Sequence, residues 1–316
     1  VVRLLLGGAA VHRCDKRNAF PQGTKAGPEM LRHIKSGVKR ALGLHRPGRS
    51  LLILPDDVFL VSFPKSGNTW TRFLLGNLMF PDTPATFANI HRLIPDPTGT
   101  SKKDFDEMPR PRIIKSHDCF DPRFPRVIYI VRDPRDVVVS QYHYHRKLKK
   151  IADDSPIETF VARFLAGKTC PHGSWGQNVI TWLATRQDPA RFLLLRYEDM
   201  VADTPRELVK IVALLGKSAS PEQIAQAVER SSAGQMRKLE QTQTDQCELM
   251  KGSRKDLSFV RAAGSGGWRS ELPVPMVEKI EAAWGPAMRY LGYELTTQAH
   301  SDTRDYESLG LLSTRQ

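Results

Sequence analysis

The sequence predicts a three-layer α/β domain with a central, mostly parallel sheet flanked by helices. Three observations predict it. Short apolar runs of strand length, such as Val127-Ile128-Tyr129-Ile130-Val131, alternate with longer stretches whose apolar residues recur at helical spacing. A glycine-containing loop, Pro64-Lys65-Ser66-Gly67-Asn68, stands directly between one strand and the next helix. A second strand passes within two residues into a helix start at Asp133-Pro134. Strands that alternate with helices require crossover connections, which cover both faces of the sheet.

The elements follow in order. Residues 58–63 read as a buried strand. Residues 69–80 read as a helix, with Trp70, Phe73, Leu74 and Leu78 on one apolar stripe. Residues 81–110, rich in Pro, Asp and Thr, read as loop with short helix. Residues 112–117 and 126–131 are the second and third strands. Asp133 is a suitable N-cap and Pro134 a suitable first residue for a helix reaching about Lys150. Helices are expected over 157–165 and 177–185, a fourth strand over 192–196, and helices over 205–215 and 221–232. Residues 233–270 are polar and expected to be loop-rich. A last helix spans 275–291 and stops near Gly292.

Composition bounds the function. The chain has 316 residues, 40% hydrophobic and 26% charged, which excludes collagen-like, disulfide-scaffold and wholly disordered proteins. No apolar run approaches the ~20 residues of a spanning helix. The apolar start, interrupted by Arg3 and followed by no clear cleavage site, is a weak signal peptide. Cys14, Cys119, Cys170 and Cys247 are scattered and form no CxxC pair, so they read as free thiols in a reducing, cytoplasmic compartment. The histidines show no metal-ligand spacing, His143 and His145 included, and no metal is expected. Net charge is +13, of which eleven Lys/Arg against Asp15 and Glu29 place +9 in the first fifty residues. Within that extension, 28–44 carries Met30, Leu31, Ile34, Val38 and Leu42 between basic residues, a pattern open to peripheral membrane contact or to packing on the body. No nucleic-acid partner is expected.

Three constellations carry chemistry. The loop 64–69 has what an anion needs at a helix N-terminus: Lys65 for charge, Gly67 for close backbone approach, Asn68 and Thr69 as side-chain donors. It is not a Walker loop, which has its Lys after the second Gly, whereas Lys65 precedes Gly67. In the second, Arg132 ends a strand and Ser140 lies about two helical turns past the cap, so the two can clasp one phosphate above the sheet. In the third, Lys115 and His117, two apart on a strand, leave the same face and set a cation beside an imidazole able to act as base near neutral pH.

Taken in order, these segments resemble the sulfotransferase family that uses 3′-phosphoadenosine 5′-phosphosulfate (PAPS). PKSGNTW is similar to the family's PKSGTTW, VIYIVRDPRDVVVSQYHY to its 3′-phosphate segment, KSH to its KTH, RYEDM to its YEDM, and RAAGSGGW (261–268) to RKGxxGDW. The resemblance spans about 51–295. It implies a P-loop-like domain over 51–296, after a basic extension (1–50) and before a polar tail (297–316). It implies nucleotide contacts from Lys65, Ser66, Gly67, Asn68, Thr69, Trp70, Arg132, Ser140, Tyr197, Ser231 and Arg261. It further implies sulfuryl transfer from PAPS to a small-molecule acceptor, with catalytic roles for His117 as base, for Lys65 and Lys115 as charge stabilisers, and for Ser140 in restraining Lys65. Gly173-Ser174-Trp175 fits a segment that frames the acceptor side. The chain departs from the pattern at Asn68, where Thr is usual; at Ala262 and Ala263, where Lys and Gly are frequent; at Gly267 for Asp; and at Ala233, where an aromatic often covers the adenine. These changes imply weaker nucleotide binding, with Trp70 as the main stacking face. The competing readings are a P-loop nucleotide kinase, a non-catalytic nucleotide-binding protein that docks through its basic arm, and a secretory carbohydrate sulfotransferase, which would carry an anchor and disulfides.

Overall fold

The computed structural model describes residues 51–97, 100, 102–185, 188–243 and 250–297. The extension 1–50, the tail beyond 297, Cys14 and Cys247 lie outside the described residues. Four parallel strands, β1 (Val58–Ser62), β2 (Ile113–Ser116), β3 (Arg126–Val131) and β4 (Phe192–Arg196), form a sheet in the order β2-β1-β3-β4. In register, Leu60 stands opposite both Lys115 and Ile128.

The period-two pattern of these strands divides their side chains between two cores. Phe59, Val61, Val127, Tyr129 and Val131 face one way. There they meet α4 (Pro134–Lys147), α5 (Ile157–Leu165), α6 (Trp175–Thr185) and α12 (Val274–Tyr290) through Val138, Phe164, Trp182 and Trp284. Val58, Leu60, Ile128 and Ile130 face the other way, onto α1 (Asn68–Met79), α8 (Thr204–Leu214) and α9 (Pro221–Arg230). This is the three-layer arrangement that the alternation of elements predicts.

The other helices among the described residues are α2 (Ile90–Leu93), α3 (Lys102–Asp106), α7 (Tyr197–Ala202), α10 (Ala233–Gln243) and α11 (Trp268–Glu271). Three elements differ from the sequence reading. Residues 233–243 are helix rather than loop. Their apolar content is thin, but Met236 packs with Phe73, Phe87 and Met250, and Glu240 pairs with buried Lys147, so tertiary contacts supply what the pattern lacks. Helix α6 starts at Trp175, two residues early, because Ser174 and Gln177 cap one another: the Gln177 N–H donates to Ser174 Oγ and the Ser174 N–H to Gln177 Oε1. Helix α4 ends at Lys147, followed by Lys149 in a left-handed conformation (φ 56°). Its expected start holds, with Asp133 accepting from the Arg135 N–H and Pro134 at the first position.

Between β1 and β3 the chain leaves the sheet in opposite directions, toward β2 on one side and β4 on the other. Ligands of open α/β sheets bind at such a switch point, beyond the carboxyl ends of the strands. The loops at 63–67 and 132–133 lie there.

Candidate active site

Each of the four strands delivers a candidate residue at or just past its carboxyl end: Lys65 after β1, His117 after β2, Arg132 after β3, and Tyr197 after β4. All four line one cavity of about 600 Å³, with Lys115, Ser140, Trp70 and Arg261.

The loop after β1 is shaped for an anion. Lys65 (φ 75°) and Gly67 (φ 101°) both adopt the left-handed region, which curls the backbone into α1. Gly67 is the N-cap and brings no side-chain cap, so the first backbone N–H groups of α1 are left for another acceptor. Buried polar atoms without a hydrogen-bond partner gather here too: Ser66 Oγ, Asn68 Oδ1, Arg132 Nε and Gln141 Oε1. Of these, Arg132 Nε is a donor on a residue of the cavity wall and suits an anionic ligand; buried polar atoms of this kind are otherwise paired.

Glycine is required at position 67 on two counts. Its φ disfavours any side chain, and a Cβ would stand 2.6 Å from Tyr197 Cδ2. The Tyr197 ring is itself covered by the Arg132 guanidinium, 4.2 Å from its centroid. Gly67→Ala is therefore expected to cost about 1–2 kcal/mol of stability and to weaken nucleotide binding. Urea denaturation and calorimetry check it; an unchanged midpoint and affinity contradict the close approach.

His117 is fixed by its backbone and its ring. Its carbonyl accepts from Asn178 Nδ2 (3.0 Å), and Nδ1 lies 2.7 Å from the Ser62 carbonyl oxygen. A carbonyl only accepts, so Nδ1 carries the proton and Nε2 keeps its lone pair. Burial, then the charges of Lys115 and His172, hold the imidazole pKa well below the usual histidine range. The ring meets His172 edge-on at 5.5 Å. Lys115 is buried, and Asp96 Oδ2 accepts from its Nζ. Burial lowers the Lys115 pKa while Asp96 opposes the shift.

Arg132 donates to the Lys65 carbonyl (3.3 Å) and the Gly264 carbonyl (3.0 Å), which ties the loop after β1 to the late loop. The late loop is anchored from below: the Asp136 carboxylate accepts from the N–H groups of Gly266 (2.7 Å) and Trp268 (3.1 Å). Arg261 donates to Glu271 Oε1 (2.8 Å), whose other oxygen pairs with His143.

Residues 55–292 match the model of the sulfotransferase domain, three quarters of the chain. The chain belongs to the sulfotransferase family. Bovine Sulfotransferase 1A1 is 30% identical over 259 residues, covering 77% of this chain and 86% of the bovine one. A rabbit (Oryctolagus cuniculus) amine sulfotransferase is 26% identical, with 75% of this chain and 82% of its own covered. The crystal structure of mouse sulfotransferase SULT7A1 complexed with PAP superposes with a TM-score of 0.61 at 25% identity, covering 76% of this chain and 86% of the mouse one.

Within this sulfotransferase the sequence-derived residues divide. Lys65, Gly67, Asn68, Thr69, Trp70, Lys115, His117, Arg132, Ser140, Tyr197 and Arg261 share the cavity wall. Ser231 does not. Its Oγ accepts from Asn77 Nδ2 (2.9 Å) and its carbonyl from Trp70 Nε1 (3.1 Å), so it braces Trp70, while its neighbour Ser232 lines the cavity. The side chain of Ser66 is likewise fully buried behind the wall. Asn68 keeps a donor, but spends it inward on the Leu60 carbonyl and Ser62 Oγ; its backbone N–H remains for a ligand. No hydrogen bond joins Ser140 to Lys65 among the described residues: Lys65 Nζ instead lies between the rings of Tyr144 and Phe259. Trp175, expected near the acceptor, is fully buried and donates to the Arg132 carbonyl (3.1 Å), so it braces the end of β3. Ala263, where the family pattern has Gly, adopts φ 51°.

Asp96, Asp136, Tyr144, Phe259 and Asn178 were not singled out from sequence. Only Tyr144 carried a local signal, being four residues past Ser140 on one helix face. Among the described residues there is no group of side chains suited to hold a metal ion and no helix long and apolar enough to cross a membrane.

Proposed function

We propose that this sulfotransferase moves the sulfuryl group of PAPS to a hydroxyl or amine of a small molecule, with His117 as general base. The observation that carries the reading is the state of His117. Its Nδ1 proton is committed to Ser62, so Nε2 is the free base in a cavity shared with the uncapped start of α1. A base beside an anion site is what transfer from an anionic donor to a protic acceptor needs.

PAPS supplies an electrophilic sulfur and a leaving phosphate. The chain supplies the rest. The N–H groups at the start of α1 hold the 5′-phosphosulfate end, and Arg132, Ser140 and Arg261 hold the 3′-phosphate. Trp70 and Tyr197, whose rings meet edge-on at 5.8 Å, bracket the adenine. Lys65 neutralises charge that develops on the leaving oxygen. Lys115, held in place by Asp96, does the same for the sulfuryl oxygens. Nε2 of His117 takes the acceptor proton. The acceptor lies at the end of the cavity formed by Thr169, Cys170, Pro171 and His172. The thiols of Cys119 and Cys170 are free, which supports a cytoplasmic setting.

Because His117 is depressed, it is neutral and active over a wider range than an ordinary histidine. On the acid side, activity is lost as pH falls through its lowered pKa. The acid limb of kcat/KM is therefore expected below the ~6.5 of a free imidazole; a limb at or above that value contradicts the role. Radiolabelled PAPS offered with phenols, alcohols and amines tests the reaction. Label should pass to acceptor without added metal, and no transfer to any of the three classes contradicts the proposal.

A further inference from the structure

The acceptor end of the cavity is one-sided in charge. Its wall there is formed by His145, Lys150, Thr169, Cys170, Pro171 and His172. Among the described residues, two carboxylates line the cavity, and both are committed at the late loop. Asp136 accepts from the N–H groups of Gly266 and Trp268, and Glu271 pairs with Arg261 and His143. Lys150 also borders an adjoining depression of about 370 Å³, lined by Arg146, Lys149, Asp153 and Arg254. The Asp153 carboxylate there is shared by the two arginines. Among the described residues no carboxylate pairs with Lys149 or Lys150.

Thr169 on the same wall is buried, and its Oγ1 has no hydrogen-bond partner. A buried hydroxyl is otherwise paired, so this one suits a ligand oxygen. Lys150 joins Thr169 through His145. The Lys150 N–H donates to the His145 carbonyl (2.8 Å). Burial, then the charges of Lys150 and Arg163, lower the His145 pKa to about 4, against the Thr169 backbone beside the ring. The field that keeps a proton off this imidazole attracts an anion. From Thr169 the chain runs to His172, whose ring meets His117 edge-on at 5.5 Å. Three peptide links span no more than about 11 Å. A single-ring acceptor laid along this segment therefore has one end at His117 and the other at Thr169 and Lys150.

We propose that the acceptor of this sulfotransferase carries an anionic group, which Lys150 and Thr169 hold while the acceptor hydroxyl faces His117. The inference rests on the sulfuryl-transfer reading above and narrows its acceptor. The Lys150 ammonium supplies the charge, and the Thr169 hydroxyl a directed hydrogen bond. The basic depression beside Lys150 draws such a molecule toward the cavity. The same charge repels a protonated amine, so hydroxyl acceptors are preferred.

Three phenols of one skeleton and different charge test it: anionic 4-hydroxyphenylacetate, neutral 4-hydroxyphenylacetamide and cationic tyramine. Each is offered to the full-length protein with PAPS. Each is also titrated calorimetrically into protein saturated with adenosine 3′,5′-bisphosphate. Both kcat/KM and affinity should fall in the order acid, amide, amine, with the acid ahead of the amide by about 5- to 30-fold. Lys150→Ala should bring that ratio near one, and Lys150→Glu should reverse the order of acid and amine. Thr169→Val should lower the ratio about 2- to 5-fold. Acid and amide bound and sulfated alike by the parent overturn the anion site, as does a ratio that survives Lys150→Ala. A loss of adenosine 3′,5′-bisphosphate affinity in Lys150→Ala equal to the loss for the acid also overturns it, since Lys150 would then serve the nucleotide. A parent that binds the acid preferentially but transfers sulfuryl to none of the three overturns the sulfuryl-transfer reading and leaves the anion site intact.

Discussion

His117→Ala should lower turnover by about 10²- to 10⁴-fold while binding adenosine 3′,5′-bisphosphate like the parent. The separation follows from geometry. His117 follows β2 at the edge of the sheet, one strand removed from the switch point where Arg132 and the 63–67 loop converge. Its contacts are the Ser62 carbonyl through Nδ1, Asn178 through its backbone carbonyl, and His172 through its ring. Removing the imidazole takes away Nε2 and leaves the start of α1, Arg132 and Tyr197 in place. Retained affinity also shows that the variant is folded. Single-turnover transfer from radiolabelled PAPS reads the rate, and calorimetry reads the affinity. Near-parental turnover would remove His117 from the chemistry.

Arg132→Ala should weaken adenosine 3′,5′-bisphosphate by about 10- to 150-fold, the worth of a charge-assisted contact of ~1.5–3 kcal/mol, and weaken adenosine 5′-phosphate far less. Arg132 bridges the Lys65 and Gly264 carbonyls, stacks on Tyr197, and keeps a buried Nε without a partner. Its structural bonds are to neutral carbonyls, so no buried carboxylate is orphaned when it is removed. The comparison of the two nucleotides cancels any general loosening of the loop. Equal losses for both would make Arg132 a strut between loops rather than a phosphate ligand.

The layers of this fold were legible because they rest on local periodicity. The alternating residues of β1 and β3 divide between two cores as their spacing requires, and Asp133-Pro134 starts α4 where capping chemistry places it. The loop after β1 was legible because Lys65 and Gly67 stand two residues apart in sequence. What stayed hidden depends on residues far apart. Helix α10 has too few apolar residues to announce itself, and is held by Met236 and by the Glu240–Lys147 pair across 93 positions. Asp136 reads from sequence as part of a helix start, yet it holds the backbone of Gly266 and Trp268, more than 125 positions away. Ser231 turns its side chain onto Asn77, and its neighbour Ser232 lines the cavity. The resemblance implies a restraint on Lys65 from Ser140, whereas Lys65 Nζ lies over the ring of Phe259, which comes from a loop no periodicity reveals.

The central claim is that a phosphosulfate nucleotide, rather than a nucleoside triphosphate, belongs in the cavity over the switch point. Calorimetric titration of the purified protein tests it most directly, with adenosine 3′,5′-bisphosphate compared with ATP in the presence and absence of Mg²⁺. The account predicts tight, metal-independent binding of the bisphosphate and weak binding of ATP. A Mg²⁺-dependent preference for ATP, or no binding of either nucleotide, would contradict it.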